Sequence, residues 1–499
     1  MNLFTAQSTE RSLRSLNRFI LGCGLLFAAA ATLGWLGGGG YLSPVLFLWF
    51  TVGLRYALRD WTHPLWIGLQ GWALVYIDGP CLWYAVAGKT INAAEGLPID
   101  PVFMTEGGLL QALLMLAIFY LALASLALRK VQPVHFPARN FVLEDKTFYR
   151  LAVVLIGLLG LGFMREIQFA GSSLERAPGL VNELIRFLFH DAAIFFALSL
   201  FNLGRLNGKN SQSVGWVQAG LLVLCGGFFA AAGSKGAILA GLFLVVLWPA
   251  ACASFLGFQK MLLPPFALLA AAVGLSPCLF MVGLAARLTT RQKSAVAGDW
   301  TGAWGQTLES LGQVPDLMDT IFYRISAEVN RYFLLVADFF QNDEAFRRLE
   351  YGSYIGKNLV NLFFPGTPFP EAFFMSSMFL PQLLDRSELI SGGQQELVLQ
   401  MNTQPLTLFG LLLFFFGYAA PAVFLLYALL TQKVLFGRFP LVATGAFLFF
   451  FFSFSMYGLE AVAQRAAMFT VNLFIFLHLA RWLCGKRPKL LQAQKSLEP

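Results

Sequence analysis

Long apolar tracts constrain the fold of this chain more than any short motif does. Residues 215–257 are apolar almost throughout, and Lys235 is the one charged residue among them. A helix needs roughly 20 apolar residues to cross a bilayer, so this tract is long enough for two crossings. The bend between them then falls at Gly233-Ser234-Lys235-Gly236 and leaves Lys235 at a membrane face with almost no loop around it.

Two interpretations of Lys235 fit this position. The ammonium group can reach from a turn to the aqueous interface, as long basic side chains commonly do. It can also bind an anionic headgroup, a phosphate or a carboxylate, because a cation at this depth is costly unless it has a partner. The second interpretation makes Lys235 a candidate ligand-binding residue.

The composition agrees with a membrane protein. Hydrophobic residues make up 57% of the chain and charged residues only 12%, about half of the charged fraction of a soluble domain. The net charge of +8 does not indicate a nucleic-acid partner, because the basic residues cluster at the ends of apolar segments and form no stripe. The six cysteines lie in or beside apolar segments, which is typical of packing residues and indicates no disulfide or metal framework.

Apolar length predicts an all-α polytopic membrane protein with about 12 transmembrane helices and one large, partly helical extracytoplasmic loop. The chain then divides into a membrane domain at residues 1–286, the large loop at 287–404, a second membrane segment at 405–482 and a basic cytoplasmic tail at 483–499. The predicted spans lie near residues 19–37, 41–58, 64–87, 108–128, 149–164, 187–204, 215–233, 236–257, 261–285, 405–430, 438–457 and 462–482.

Arginine and lysine residues concentrate in alternate connections between these spans. The positive-inside rule assigns those connections to the cytoplasm, together with both termini. Arg55 and Arg59 are assigned in this way to the connection between the second and third spans. The segment from Lys89 to Gly107, in which acidic residues outnumber the lysine, falls on the opposite side with the Lys235 bend.

The connection between Arg287 and Gln404 is far longer than the others. A loop of roughly 120 residues is uncommon unless it is folded and functional, and the predicted topology places it outside the cytoplasm. Apolar residues recur mostly every three or four positions from Asp299 to Gln341, which predicts helical structure. The part from Asp319 to Gln341 is predicted to form a helix that lies on the outer membrane surface or caps a cavity.

Two arginines of this predicted helix share one face. Arg324 and Arg331 are seven residues apart, which is two helical turns, and Glu328 lies between them. The arrangement fits an ordinary ion-pair ladder on a solvated face. It also fits a diphosphate site, because two guanidinium groups can each bind phosphate oxygens bidentately.

Further polar groups stand within or beside apolar segments. Glu460 and Arg465 flank the short connection before the last span, where an interfacial turn and a ligand-binding cation are both open. Asp78 is either a buried structural hydrogen-bonding group or an acid/base group. The His190-Asp191 pair is either the start of a span or an acid/base pair.

No nucleotide or metal site is indicated. The sequence has no complete Walker-type Gly-x-x-x-x-Gly-Lys-Ser/Thr loop, no Cys-x-x-Cys, no His-Glu-x-x-His and no Gly-x-Ser-x-Gly elbow. Its four histidines are scattered over different segments. We therefore expect no cofactor, no zinc chemistry and no ATP-driven transport.

Three pieces of sequence, together with the predicted topology, resemble a known family. Residues 232–239, Ala-Gly-Ser-Lys-Gly-Ala-Ile-Leu, are similar to a small-Ser-Arg-Gly hairpin, with Lys235 where arginine is usual. Residues 324–326, Arg-Ile-Ser, are similar to an arginine-containing stretch early in the large loop. Residues 402–410, Asn-Thr-Gln-Pro-Leu-Thr-Leu-Phe-Gly, are similar to the segment that opens the following span. By these features the chain resembles the bacterial oligosaccharide repeat-unit polymerases of the O-antigen polymerase type, relatives of the O-antigen ligases.

This resemblance implies glycosyl transfer between polyprenyl-diphosphate-linked oligosaccharides at the outer face of the bacterial inner membrane, which would build O-antigen, capsule or exopolysaccharide. The implied diphosphate-binding cations are Lys235, Arg324, Arg331 and Arg465. The catalytic candidates are Arg324, Arg331, Glu328, Glu460 and His190, with Asp319 as a further candidate base. The expected partners are the lipid-linked oligosaccharides, the bilayer, a chain-length regulator protein and a flippase, and no nucleic acid.

Two other functions share these features. An O-antigen ligase would use the same donor but transfer the glycan to a different acceptor. A flippase or other transporter of lipid-linked sugars would also have many spans and a cationic cavity. Transporters more often show paired halves with matching interrupted helices, and no such pairing is seen in this sequence.

Overall fold

The structure is a computed structural model of the 499-residue chain. It describes residues 6–88, 105–128, 145–169, 298–313 and 408–431, together with scattered helical positions between 193 and 202, 217 and 224, 336 and 360, and 471 and 482. Most of the described residues are helical, and no β-strand occurs among them.

The described helices follow the chain in this order. Helix α1 spans Ala6–Leu36, α2 Leu42–Ala57 and α3 Pro64–Ala73. A π-helical turn at Leu74–Asp78 joins α3 directly to α4 at Gly79–Ala87. Helix α5 spans Glu106–Leu128, α6 Asp145–Phe169 and α7 Trp300–Gln313. Helix α8 at Leu408–Phe416 is joined to α9 at Ala420–Thr431 by a 3-10 turn at Gly417–Ala419.

Helical segments stand where apolar length predicts the first five spans and the span after the large loop. Within the described residues, two helices are long and apolar enough to cross a membrane, at Arg14–Leu36 and Glu106–Ala127, with mean hydropathies of 2.0 and 2.3. The predicted spans near residues 236–257, 261–285 and 438–457 lie outside the described residues. The count of twelve spans therefore stays a prediction.

Successive helical segments at the start of the chain are antiparallel and pack against one another. Helix α1 packs on α2, α3 and α4, and α2 packs on both α4 and α5. At one end of this bundle, Tyr41 before α2 donates its N–H to the carbonyl of Tyr84 in α4, at 3.2 Å. At the other end, Asn17 of α1 donates its side-chain N–H groups to the carbonyls of Leu58 and Trp61, just after α2, at 2.7 and 3.2 Å. Successive helices therefore run back and forth between the same two ends.

A glycine-rich turn lets the connection between α1 and α2 lie directly against α4. The turn covers residues 37–40, and Gly38 adopts a φ of +82°, a conformation that residues with a Cβ rarely take. A Cβ added to Gly40 would overlap with the backbone of Ala85 in α4. The absence of side chains here sets how closely α4 approaches α1.

Phe409 ties the late helices to the early ones. Its ring centroid lies 5.7 Å from that of Trp72 on α3, 4.9 Å from Phe119 on α5 and 5.6 Å from Phe424 on α9. The side chain is 1% exposed, and each such aromatic pair contributes about 0.5–1.5 kcal/mol beyond the area it buries. Phe409 belongs to the segment 402–410 that carries part of the family resemblance, and in the structure it is a packing residue.

Helix α7 lies within the predicted large loop, and its position agrees with the helical spacing that begins at Asp299. The carboxylate of Asp299 caps the helix by accepting from the N–H and the hydroxyl of Thr301 at 3.0 and 2.7 Å. These hydrogen bonds, with a further one from the N–H of Gly302, hold the pKa of Asp299 below its ordinary value. The predicted helix at 319–341 lies, apart from residue 336, outside the described residues.

Candidate functional site

A buried ion pair joins α2 to the π-helical turn. Arg55 Nη1 lies 2.6 Å from Asp78 Oδ2, and both side chains are 0% exposed. Arg55 lies inside α2, so the prediction that placed it with Arg59 in a connection is wrong. The reason is that Arg55 lies on the face of α2 that packs against the other helices, whereas Arg59 follows the helix and is partly exposed.

Gln70 and Gly24 also lie against Arg55. Arg55 Nε donates to Gln70 Oε1 on α3 at 2.7 Å, and Gln70 is 1% exposed. On the α1 side, a Cβ added to Gly24 would lie 2.5 Å from Arg55 Nη1. The guanidinium group therefore lies against the backbone of α1, in a space that exists because position 24 is glycine. Four elements, α1, α2, α3 and the π-helical turn, meet at this one side chain.

The backbone before Pro80 explains the π-helical turn that carries Asp78. Pro80 has no N–H, so it cannot bond to the carbonyl of Tyr76 four residues before it. The preceding turn is widened, and Gly79 donates its N–H to the carbonyl of Leu74, five residues earlier. Turns of this kind are rare within helices and frequently lie at functional sites. Here the turn ends at Asp78, directly opposite Arg55.

Burial makes the two charges depend on each other. Each has lost its hydration, and a single unpaired charge in such surroundings costs about 3–5 kcal/mol, whereas an apolar pair of similar volume is often neutral or stabilising. Arg55 Nη2, Asp78 Oδ1 and Gln70 Nε2 make no hydrogen bond with any described residue. Of the two sequence interpretations of Asp78, this geometry favours the structural group, because its carboxylate is occupied by a guanidinium and shielded from solvent.

A second polar cluster, here called the arginine cluster, consists of Arg14, Arg18, Arg59 and Asp60. Arg18 Nη2 lies 2.7 Å from Asp60 Oδ1, and these side chains are 60% and 50% exposed. Arg59 Nε lies 3.8 Å from Asp60 Oδ2, and its guanidinium stands over the ring of Tyr56 with 4.3 Å to the centroid. The hydrogen bond from Arg18 lowers the pKa of Asp60, and the nearby charges of Arg59 and Arg14 act in the same direction.

At the opposite end of the bundle a carboxylate is bound to a helix N-terminus. Glu106, the first residue of α5, accepts a hydrogen bond from the N–H of Leu42 at 3.1 Å and another from the N–H of Ser43. These N–H groups have no partner within α2, and the helix dipole favours negative charge beside them. Tyr41, which precedes α2, makes no side-chain capping bond, so Glu106 caps α2 from another helix.

The predicted diphosphate and catalytic residues lie outside the described residues. They are Lys235, Arg324, Arg331, Arg465, Glu328, Glu460, His190 and Asp319. Their convergence on one outward-facing cavity, and the role of each, stay predictions.

The buried cluster around Arg55 is missing from the sequence-based predictions, although the sequence holds one signal for it. Arg55 stands three, four and seven residues after Val52, Thr51 and Leu48, all of which are buried in the structure. This spacing places Arg55 on the buried face of α2. The positive-inside rule assigns an arginine at the end of an apolar segment to the adjoining connection. That assignment overlooks the helical spacing that links Arg55 to the buried residues.

Among the described residues, no group of three His, Cys, Asp or Glu side chains lies close enough together to hold a metal ion. Cys23 and Cys81 have free thiols. Comparison of the chain with models of protein families, with curated proteins and with solved structures finds no match.

Proposed function

We propose that this chain is a membrane-embedded polysaccharide polymerase that joins polyprenyl-diphosphate-linked oligosaccharide repeat units at the outer face of the bacterial inner membrane. The observation that carries this proposal is the distribution of cations in the sequence. Lys235, Arg324, Arg331 and Arg465 all fall at the same outer level of the predicted topology. Cations held together at that level suit a diphosphate that must leave during the reaction.

In the proposed reaction, the anomeric carbon of the donor sugar loses its bond to the diphosphate oxygen, which leaves with the bonding electrons. The same carbon gains a bond to a hydroxyl oxygen of the acceptor, whose proton passes to a base, for which Glu328, Asp319, Glu460 and His190 are the candidates. The cations stabilise the negative charge that grows on the departing diphosphate. Because both substrates are anchored in the membrane, holding them side by side supplies much of the remaining rate enhancement.

The exposed surface of α1 supports the membrane part of the proposal. Leu26, Leu33 and Leu36 are 68%, 72% and 68% exposed, whereas Ala28 and Ala31 on the opposite face are fully buried. Large apolar side chains exposed together along one helix face form a surface that is suited to lipid. Helix α5 likewise exposes leucine and isoleucine side chains along its length.

The charges at the two ends of the bundle support the predicted orientation. The arginine cluster lies at the end that holds the start of α1 and the connection after α2, and the positive-inside rule assigns that end to the cytoplasm. Glu106 and the glycine-rich turn lie at the other end, which is then extracytoplasmic. The predicted topology has the Lys235 bend and the large loop on that same extracytoplasmic side.

The length of surface glycan in a deletion strain tests the proposal. Loss of a polymerase leaves single repeat units on the surface, loss of a ligase leaves long chains on the lipid carrier, and loss of a flippase leaves repeat units that never reach the outer face. We expect single repeats in the deletion strain and full-length chains after complementation with the wild-type gene. Complementation with Arg324→Ala should give single repeats, and the exposed Lys146→Ala on α6 is the matched control. Long lipid-linked chains in the deletion strain would replace the polymerase assignment with the ligase.

A further inference from the structure

The arginine cluster brings three guanidinium groups near one carboxylate, that of Asp60. Arg18 and Arg59 both approach the single carboxylate of Asp60, at 2.7 and 3.8 Å, and Arg14 adds a further charge nearby. The side chain of Arg59 is 41% exposed, and its guanidinium is held over Tyr56 by a hydrogen bond to the Tyr56 carbonyl at 2.9 Å. Two guanidinium groups that share one carboxylate, on side chains that solvent reaches, retain donors for a second anion.

An apolar face of α1 continues directly from Arg18. The exposed positions after Arg18 are Gly22, Leu25, Ala29 and Leu33, spaced by three or four residues along one side of the helix. A Cβ added to Gly22 would meet no atom within 4 Å, so the helix surface is open one turn from the guanidinium group. Along this face, a basic residue is followed by a glycine and then by apolar side chains. The order matches that of a phospholipid, whose anionic phosphate is followed by an apolar acyl chain.

Helix α2 presents a matching face beside it. Its exposed positions Trp49, Gly53 and Tyr56 end beneath Arg59, and an added Cβ at Gly53 would also meet no atom within 4 Å. Trp49 Nε1 donates to Thr32 Oγ1 of α1 at 2.9 Å. That bond holds α2 against α1 beside these two faces, and Asp60 brings Arg18 and Arg59 together at one end of them.

We propose that Arg18 and Arg59 bind the phosphate of an anionic phospholipid, whose acyl chain lies on the surface formed by the exposed faces of α1 and α2. The proposal rests on the membrane placement in the proposed function and not on the polymerase chemistry. A guanidinium group binds phosphate oxygens bidentately, so the lipid phosphate shares the two arginines with Asp60. The acyl chain on the adjoining surface distinguishes this ligand from free phosphate, which offers the same anionic oxygens with nothing to fill the apolar faces.

The test is a titration of the full-length chain, purified in a neutral detergent, with phosphatidylglycerol, phosphatidylcholine or inorganic phosphate. The thermal unfolding midpoint is followed, because a ligand that binds only the folded state raises it with concentration. We expect phosphatidylglycerol to raise the midpoint more than phosphatidylcholine does, and inorganic phosphate to have little effect. The double variant Arg18→Gln/Arg59→Gln should bind phosphatidylglycerol about tenfold more weakly or worse, as expected for lost charge-assisted hydrogen bonds.

Two further variants keep the test decisive if the double variant folds poorly. Arg59→Gln alone leaves the Arg18–Asp60 pair intact and should still weaken phosphatidylglycerol binding. Asp60→Asn removes the competing carboxylate and should tighten binding, although it breaks an ion pair and lowers the midpoint without lipid. Arg150→Gln, an exposed arginine on α6, is the charge-matched control and should bind as the wild type does.

Equal effects of phosphatidylglycerol and phosphatidylcholine, or a full phosphatidylglycerol effect in the double variant, would overturn the proposal. A full effect of inorganic phosphate would overturn the lipid assignment and leave a site for a free anion. Glycan length in the complemented deletion strain is measured separately, so failure of the lipid site and failure of the polymerase assignment give different results.

Discussion

The guanidinium of Arg55 and the carboxylate of Asp78 lie 2.6 Å apart, with both side chains fully buried. Arg55 also bonds to Gln70 and lies against the backbone of α1 at Gly24, so this pair joins three helices and the π-helical turn. In an apolar bundle, a charged side chain on one helix is stable only where another helix supplies its partner. We infer that the pair sets the register between α2 and the α3–α4 segment.

Breaking this pair from one side should destabilise the protein more than removing it entirely. Arg55→Leu and Asp78→Leu each leave a buried charge without its partner, and each should cost about 3–5 kcal/mol. The double variant Arg55→Leu/Asp78→Leu should cost much less than the sum of the two. Thermal unfolding in detergent measures the three variants, with the exposed Arg150→Leu as a control. Additive losses would show that the two charges act independently.

Two glycines of α1 should respond oppositely to alanine. Gly24→Ala places a methyl group 2.5 Å from Arg55 Nη1 and should lower the unfolding midpoint by displacing the guanidinium. Gly22→Ala meets nothing within 4 Å and should stabilise α1 by up to about 1 kcal/mol through its better helix propensity. The same unfolding measurement compares them. An equal gain from both substitutions would mean that Arg55 does not depend on close contact with α1.

The capping of α2 by Glu106 should also be measurable. Glu106→Gln keeps the shape of the side chain but removes the charge that faces the N-terminus of α2, and it should cost about 0.5–2 kcal/mol. Glu309→Gln on the exposed surface of α7 is the matched control, with little effect expected. Identical midpoints for Glu106→Gln and the wild type would mean that water caps α2 equally well.

Acid should remove the contribution of the Arg18–Asp60 pair to the stability of the folded protein. The pKa of Asp60 lies below the 3.8 of an ordinary aspartate because Arg18 hydrogen-bonds to the charged form. A carboxyl group with a lowered pKa stabilises the fold above its unfolded pKa and stops doing so as pH falls through its folded pKa. The wild type should therefore unfold at a higher temperature than Asp60→Asn near neutral pH. This difference in the unfolding midpoint should shrink as the pH falls below the ordinary aspartate pKa of 3.8. A constant difference across that range would contradict this account.

Apolar length predicts the helix positions well because a bilayer crossing or a bundle core demands a minimum apolar run. For the second predicted span, near 41–58, the structure has a helix at Leu42–Ala57. The partner of Arg55 is not predictable in the same way, because Asp78 is distant in sequence and lies on the π-helical turn before Pro80. Glu106 caps α2 through Leu42 and Ser43, which precede it in the sequence by 64 and 63 positions. The spacing of residues within one helix cannot reveal a contact over that distance.

Polymer formation by variants at position 235 tests the proposed diphosphate site most directly. The assay is surface glycan length in a deletion strain that expresses each variant at the wild-type level in the membrane. Lys235→Ala should leave single repeat units because the charge opposite the departing diphosphate is lost, and Lys235→Arg should retain substantial polymer because it keeps the charge and adds a bidentate fork. Full-length polymer from Lys235→Ala would contradict the account and make Lys235 an interfacial turn residue.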